Sequence, residues 1–283
     1  MIVHVVDGTY ELFRHFFGAR RGNKGEDLPY AAVLGVLNTV LQMIEGGATH
    51  IGVATDHVIE SFRNRLWPGY KTGEGIEPAL WRQFHPLEEA LQLMGVATWA
   101  MVELEADDAL ASAAALAEAD PRVQKVCIWT SDKDLAQCVR GDRVVQVDRK
   151  SGAIRDADGV RAKFGVDPGS IPDYLALVGD SADGFPGIPG FGPRTAQALL
   201  NRHGTIDRIP ASDASPAAVK LRANLELALL FRTLATLRTD EPLFADVDEI
   251  RWRGPLPGFA ACMEKMGGAR VLDRATRAAA MVS

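Results

Sequence analysis

Nine acidic side chains are the residues of this sequence best suited to chemistry: Asp7, Asp56, Glu105, Asp107, Asp108, Asp132, Asp134, Asp180 and Asp183. A lone Asp after a strand is ordinarily a turn residue, and one at a helix start is ordinarily a cap. Seven of the nine instead come grouped, in LEADD at 104–108, TSDKDL at 130–135 and GDSAD at 179–183, and Asp7 and Asp56 each close an apolar run. Carboxylates brought to one place repel and raise one another's pKa unless a cation neutralises them. An all-oxygen donor set without His or Cys suits a hard divalent ion, Mg²⁺ or Mn²⁺.

The surrounding pattern supplies elements able to gather them. Residues 2–6 (IVHVV) read as a strand, and 10–17 as a helix leading into a Gly/Lys/Glu-rich loop that ends at Asp27. Helical spacing follows at 29–45, 87–94 and 106–119, and strand-like runs at 50–55, 96–102, 125–130 and 143–147. Alternating strands and helices predict an α/β fold, a mostly parallel sheet covered on both faces with right-handed crossovers. Such sheets bind ligands beyond the carboxyl ends of their strands. Asp7, Asp56, Asp132 and Asp134 follow strands, while Glu105, Asp107 and Asp108 cap the Ala-rich helix. Seven carboxylates are therefore expected at one edge, and Asp180 and Asp183, spaced i and i+3, complete the nine.

Two further stretches suit a polyanion. Between Asp56 and Leu87 a long Pro/Gly-bearing segment interleaves Arg63, Arg65, Lys71 and Arg82 with Trp67, Tyr70 and Trp81. Cations that track phosphates and rings that stack on bases are what a single strand of nucleic acid requires; a solvated insertion whose Trp residues pack onto the core is the plainer alternative. Then GFPGIPGFGPRTA at 184–196 fixes a tight hairpin before a helix at 196–203, leaving N–H groups near Gly190, Gly192, Arg194 and Thr195 at a helix start, an anion site if they face outward.

Composition is compatible with this. The chain has 283 residues, 47% hydrophobic and 24% charged, with no apolar run of the roughly 18 residues a membrane span needs. Its net charge of −6 includes −9 from the nine acids, so the remainder carries +3 and a polyanionic partner is not excluded. Cys127, Cys138 and Cys262 lack zinc spacing and read as reduced thiols in packed positions. The opening residues lack a signal-peptide pattern, so the cytoplasm is the expected location.

The motifs VVDG at 5–8, ATD at 54–56, SFRNRLWPGYK at 61–71, LEADD, TSDKDL and GDSADGFPGIPGFGPRTA at 179–196 together resemble the 5′ nuclease superfamily over residues 2–250. Within it the chain specifically resembles the 5′→3′ exonuclease part of bacterial DNA polymerase I, stand-alone bacterial exonucleases and flap endonucleases. The resemblance implies a PIN-like catalytic domain with a helical arch at 1–165, and a helix–three-turn–helix DNA-binding module with a helical tail at 166–283. It implies that Asp7, Asp56, Glu105 and Asp107, with Asp108 beside them, hold a first metal. Asp132, Asp134 and Asp180, supported by Asp183, would hold a second. Lys71 resembles the arch lysine on the scissile phosphate, Tyr70 a ring able to stack on a terminal base, and Arg14 an arginine near the substrate path, while Arg63 is a DNA-binding candidate from the cation-rich segment. K⁺ would sit on the backbone carbonyls of Leu177, Val178, Pro186, Ile188 and Phe191. Glu74 stands where the family often has an arginine, and Ala182-Asp183-Gly184 where it commonly has Ser-Asp-Asn.

The implied reaction is two-metal hydrolysis of DNA at 5′ ends and flaps, Asp7, Asp107, Asp132 and Lys71 being central, by a monomer working with a polymerase in trans. The rival readings are a DNA-junction binder with a decayed site and a PIN-type ribonuclease; the second lacks the hairpin module.

Overall fold

The computed structural model describes residues 1–22 and 28–282; residues 23–27, the end of the expected Gly/Lys/Glu-rich loop, lie outside the described residues. In chain order the first half runs β1 (Ile2–Asp7), α1 (Gly8–Gly22), α2 (Ala31–Glu45), β2 (His50–Asp56), α3 (Phe62–Leu66), α4 (Pro78–Trp81), α5 (Phe84–Leu93), β3 (Ala97–Met101) and α6 (Ala106–Ala119). It continues with β4 (Lys125–Trp129), β5 (Val144–Val147), β6 (Ile154–Arg155) and α7 (Ala157–Phe164). Then come α8 (Ile171–Val178), α9 (Pro193–His203), α10 (Pro216–Arg222), α11 (Leu225–Ala235), α12 (Phe259–Met266) and α13 (Ala269–Val282).

The strands form one sheet in the order β3-β2-β1-β4-β5-β6, parallel except for β6. Both β1 and β4 are rich in β-branched residues that are buried on either face, as a doubly covered parallel sheet requires. Val6, Ile51 and Val53 face the core beneath α1, α2 and α5, while Val3, Val5, Ala54, Val126 and Ile128 face α6. Strand order reverses at the β1–β4 pair, the place where a parallel sheet forms a crevice beyond its carboxyl ends. Asp7 and Asp56 are the last residues of β1 and β2, so their placement follows directly from where the apolar runs stop.

The segment expected to form a helical arch holds two short helices, α3 and α4, joined by turns. Ser61 and Asn64 make a capping box for α3. The loop after α3 is fastened to the hairpin of the second module: Trp67 Nε1 donates to the Gly184 carbonyl at 3.0 Å, and Lys71 N–H to the Asp183 carbonyl at 3.0 Å. Gly184 has φ +82°, and a Cβ there would fall 1.9 Å from the Gly69 oxygen, so only glycine allows this approach.

Arg63 binds these parts together. It is 1% exposed, and its five N–H groups are all used. Nη1 and Nη2 grip Asp108 at 2.7 Å each, Nη1 also reaches Glu105 at 3.1 Å, Nε meets the Leu234 carbonyl at 2.8 Å and Nη2 the Thr236 carbonyl at 3.1 Å.

The tail departs from the expected division of the chain. A helical tail closing the module at 166–283 was expected, but α8 to α11 pack around a core of Tyr174, Leu177, Phe185 and Phe231 that also takes in Ala136, Val139, Val160 and Phe164, and the chain then returns to the sheet. Leu237, Phe244, Val247 and Ile250 join the α6 face. Trp252, Phe259, Met263, Val271 and Ala275 join the opposite core beside α2 and α5. The reason is apolar area: α12 and α13 carry one buried face each, and α2 and α5 present the matching one.

Arg63→Met should destabilise the protein by about 3–5 kcal/mol in urea unfolding, because it leaves Asp108 buried without its charge partner. The double variant Arg63→Met/Asp108→Leu should recover part of that loss. A loss under about 1 kcal/mol for the single variant would contradict the role assigned to this pair.

Candidate metal centre

Asp7 serves its own backbone first. Its Oδ1 accepts from Tyr10 N–H at 2.8 Å, starting α1, and its Oδ2 accepts from Thr130 Oγ1 at 3.1 Å across to the end of β4. Burial pushes its carboxyl up to about 7, with the Asp56 and Asp132 charges adding to the rise. Asp56 accepts from Ala106 N–H at 2.8 Å at the start of α6, and burial raises it too. Asp107, one position further, is raised well above the usual carboxylate range by burial and then by Asp132 and Asp7. Lys71 lowers Asp56 and Asp107 in part, but burial outweighs it at both.

Glu105 behaves differently. Burial alone would push it up, but Lys71 and Arg63 more than offset this and hold it below its ordinary value. Ser61 Oγ donates to its Oε1 at 2.7 Å, and Lys71 Nζ lies 2.7 Å from its Oε2. Lys71 also lies 3.0 Å from Asp183 Oδ1, so a single ammonium spans the first domain and the second module.

On the far side, Asp134, Asp180 and Asp183 each offer an oxygen within 4.8 Å of the others. Asp134 N–H donates to Asp132 Oδ1 at 2.9 Å, which sets the turn after β4. Asp180 Oδ1 takes Ala182 N–H at 3.0 Å and Lys133 Nζ at 2.6 Å. Burial, then Asp132, Asp183 and Asp180, push Asp134 well up. Asp134 Oδ1 is buried and has no hydrogen-bond partner. A buried carboxylate oxygen is costly to leave unpaired. One orphan oxygen beside two further carboxylates fits a hard divalent cation, and the residues present therefore suit such an ion.

Residues 2–165 match the family model described as the 5'-3' exonuclease N-terminal, resolvase-like domain, and residues 166–257 match the 5'-3' exonuclease C-terminal SAM fold. The chain belongs to the 5′-3′ exonuclease family. A 5'-3' exonuclease of Buchnera aphidicola subsp. Schizaphis graminum is 30% identical over 259 residues, covering 87% of this chain and 89% of that protein. DNA polymerase I of Pseudomonas aeruginosa is 34% identical over 259 residues, 87% of this chain and 28% of the polymerase. The chain thus spans about a quarter of the length of the DNA polymerase I relatives it matches. Among solved structures, a bacteriophage T5 flap endonuclease in a pseudo-enzyme-product complex with DNA and metal ions has TM-score 0.65 at 20% identity, covering 98% of this chain and all of that one. The T5 5'-exonuclease with bound divalent zinc gives 0.66 at 19%, over 98% and 97% of the two chains. The catalytic core of Rad2 with DNA substrate gives 0.59 at 13%, over 97% and 91%. At these identities the three share the fold of this exonuclease-family chain.

Within that family fold several expected site residues take other parts. Asp108 is fully buried, turned from the crevice into the grip of Arg63, and also accepts from the Arg238 and Glu105 N–H groups at 2.9 and 3.0 Å. It is a structural anion rather than a metal holder, and Arg63 is its counter-ion rather than a phosphate contact. Tyr70 is buried in the second module's core, with its hydroxyl 3.3 Å from Glu105 Oε2, and presents no ring for stacking. Arg14 stays part-exposed but is paired to the buried Glu11. Gly190, Gly192, Arg194 and Thr195 are exposed at the start of α9, whose N-terminus has no side-chain cap.

The five carbonyl positions considered for K⁺ surround the hairpin. The Leu177 carbonyl accepts from Ile188 N–H at 2.9 Å and that of Ile188 from Phe191 N–H at 3.0 Å, while Val178 and Pro186 border the Gly179 and Gly187 turns, both at positive φ. Two residues were missed. Lys133 lies inside TSDKDL, where a lysine between two aspartates was the available signal. Lys220 reaches over Gly190 near the α9 start, and nothing in the sequence spacing pointed to it.

Because the Asp7 carboxyl is raised in the fold, the folded protein binds its proton more tightly than the unfolded chain does. Its contribution therefore favours folding at low pH and fades as pH climbs from about 4 to about 7. In EDTA, Asp7→Asn should gain stability relative to the native chain as pH rises from about 5 to about 8, by an amount on the order of a few kcal/mol. Chemical unfolding at several pH values reads this directly, and a pH-independent difference would contradict it.

Proposed function

We propose that the chain hydrolyses DNA phosphodiester bonds at 5′ ends and 5′ flaps with two divalent cations, Mg²⁺ or Mn²⁺, and that structure rather than sequence selects the substrate. The observation that carries this reading is the unpartnered, buried Asp134 Oδ1 inside the Asp134/Asp180/Asp183 group, beside the raised pair Asp7 and Asp107. When bound, such cations activate water and offset charge on the phosphate. The chain's own residues do the rest. Asp7, Asp56, Glu105 and Asp107 would hold one ion, and Asp132, Asp134, Asp180 and Asp183 the other.

Lys71 is held at the seam between Glu105 and Asp183, and turning toward a phosphate would let it stabilise developing negative charge. The uncapped start of α9, with the Arg194 and Thr195 N–H groups and Lys220 alongside, suits a duplex phosphate. K⁺ on the carbonyls of Leu177, Val178, Pro186, Ile188 and Phe191 would add positive charge at the same place. We further infer a cytoplasmic monomer that acts beside a DNA polymerase.

The deciding experiment uses a 5′-labelled flap with Mg²⁺. Short labelled products should form, disappear in EDTA, and be lost with Asp132→Ala. Lys71→Ala should slow single-turnover cleavage by about 10²–10³-fold while the protein stays folded. Tight flap binding with no cleavage in Mg²⁺ or Mn²⁺ would replace this reading with that of a junction binder. Glu74 is exposed in the segment after Lys71, so Glu74→Arg should tighten flap binding at low salt and steepen its salt dependence by about one phosphate contact. An unchanged slope would place Glu74 away from the DNA.

A further inference from the structure

We propose that Lys133 is the resident counter-ion of the Asp134/Asp180/Asp183 position, that a divalent ion must displace it to bind, and that it thereby sets how tightly the chain holds that ion. This rests on the two-cation reading above. Lys133 Nζ lies 2.6 Å from Asp180 Oδ1, while Asp180 is one of the three carboxylates whose oxygens lie within 4.8 Å of each other. The ammonium therefore occupies a carboxylate that an incoming ion needs.

Two lysines sit on these carboxylates, Lys71 on Asp183 and Lys133 on Asp180, and an incoming ion displaces the one held less firmly. The lysine that leaves is Lys133. Lys71 is tied at both ends, its ammonium bridging Glu105 and Asp183 and its N–H fixed to the Asp183 carbonyl at 3.0 Å. Lys133 has one ion-pair partner among the described residues and is part-exposed, so its side chain can swing to solvent. The DKD spacing places this competitor between two carboxylates on one turn, where its stem cannot carry it far from the group once it is released.

Calorimetric titration of Mg²⁺, with Mn²⁺ in parallel, into the full chain and into Lys133→Met and Lys133→Gln tests this. The native chain should bind two ions, one weakly. Both variants should tighten the weak site by about tenfold, the effect of removing one charge at contact range. In EDTA they should melt below the native chain, because Asp180 then lacks its partner. Lys133→Arg should keep the native weakness. Two sites in the native chain with unchanged or weaker Mg²⁺ binding in both neutral variants would overturn the role of Lys133 and leave the two-cation reading intact. No Mg²⁺ or Mn²⁺ binding by native and variant chains alike would overturn both.

Discussion

The Arg63 guanidinium is the interaction on which the arrangement of the site depends. It lies between three pieces of chain that are distant in sequence: its own helix α3, the start of α6 through Asp108 and Glu105, and the end of α11 through the Leu234 and Thr236 carbonyls. A planar group with five fixed donors can do this where a lysine cannot. Asp108 Oδ2 also accepts the Glu105 N–H at 3.0 Å, so the grip on Asp108 fixes the first turn of α6 and with it the direction of Glu105 and Asp107. The carboxylates that face the crevice are aimed by an ion pair that does not face it.

That support is needed because the crevice is electrostatically unfavourable when filled only by protein. Raised carboxyls at Asp7, Asp56, Asp107, Asp134 and Asp183 all trace first to burial and then, in varying order, to neighbouring carboxylates. Lys71 and Lys133 relieve part of the strain, and the Asp134 oxygen that neither reaches remains alone. A site tuned to receive added positive charge is less stable without it, and the apolar cores on both sheet faces bear that cost.

Much of this was readable from residues alone. Apolar runs end at Asp7 and Asp56, so strand termination located both, and Asp134 of TSDKDL did fall beside Asp180 and Asp183 of GDSAD. Asp108 was misjudged because adjacent helical residues point about 100° apart: Asp107 and Asp108 cannot both face the crevice, and the spacing does not say which turns inward. Its partner stands 45 positions earlier in a stretch rich in cations and rings, and that composition gave Arg63 and Tyr70 the look of DNA contacts. The tail was misassigned for a similar reason. An amphipathic helix shows that one face must be covered, not which surface covers it.

Since the chain leaves the sheet domain after α7 and returns to it after α11, the hairpin module is an insertion held at two ends rather than a bead on one string. The outgoing strand is pinned where Gln197 and Asn201 donate to the Phe164 and Gly165 carbonyls at 2.8 and 2.9 Å. The returning strand is pinned where Gln137 receives Leu237 N–H at 3.0 Å and donates to the Ala235 carbonyl at 2.9 Å. A body anchored at both chain ends, and again where Trp67 and Lys71 meet Gly184 and Asp183, has lost the swivel that a single linker would permit. Asp180 and Asp183 belong to that body and Asp134 to its host, so the double anchorage works as a caliper, setting the gap between the two carboxylate groups before any ion or nucleic acid arrives.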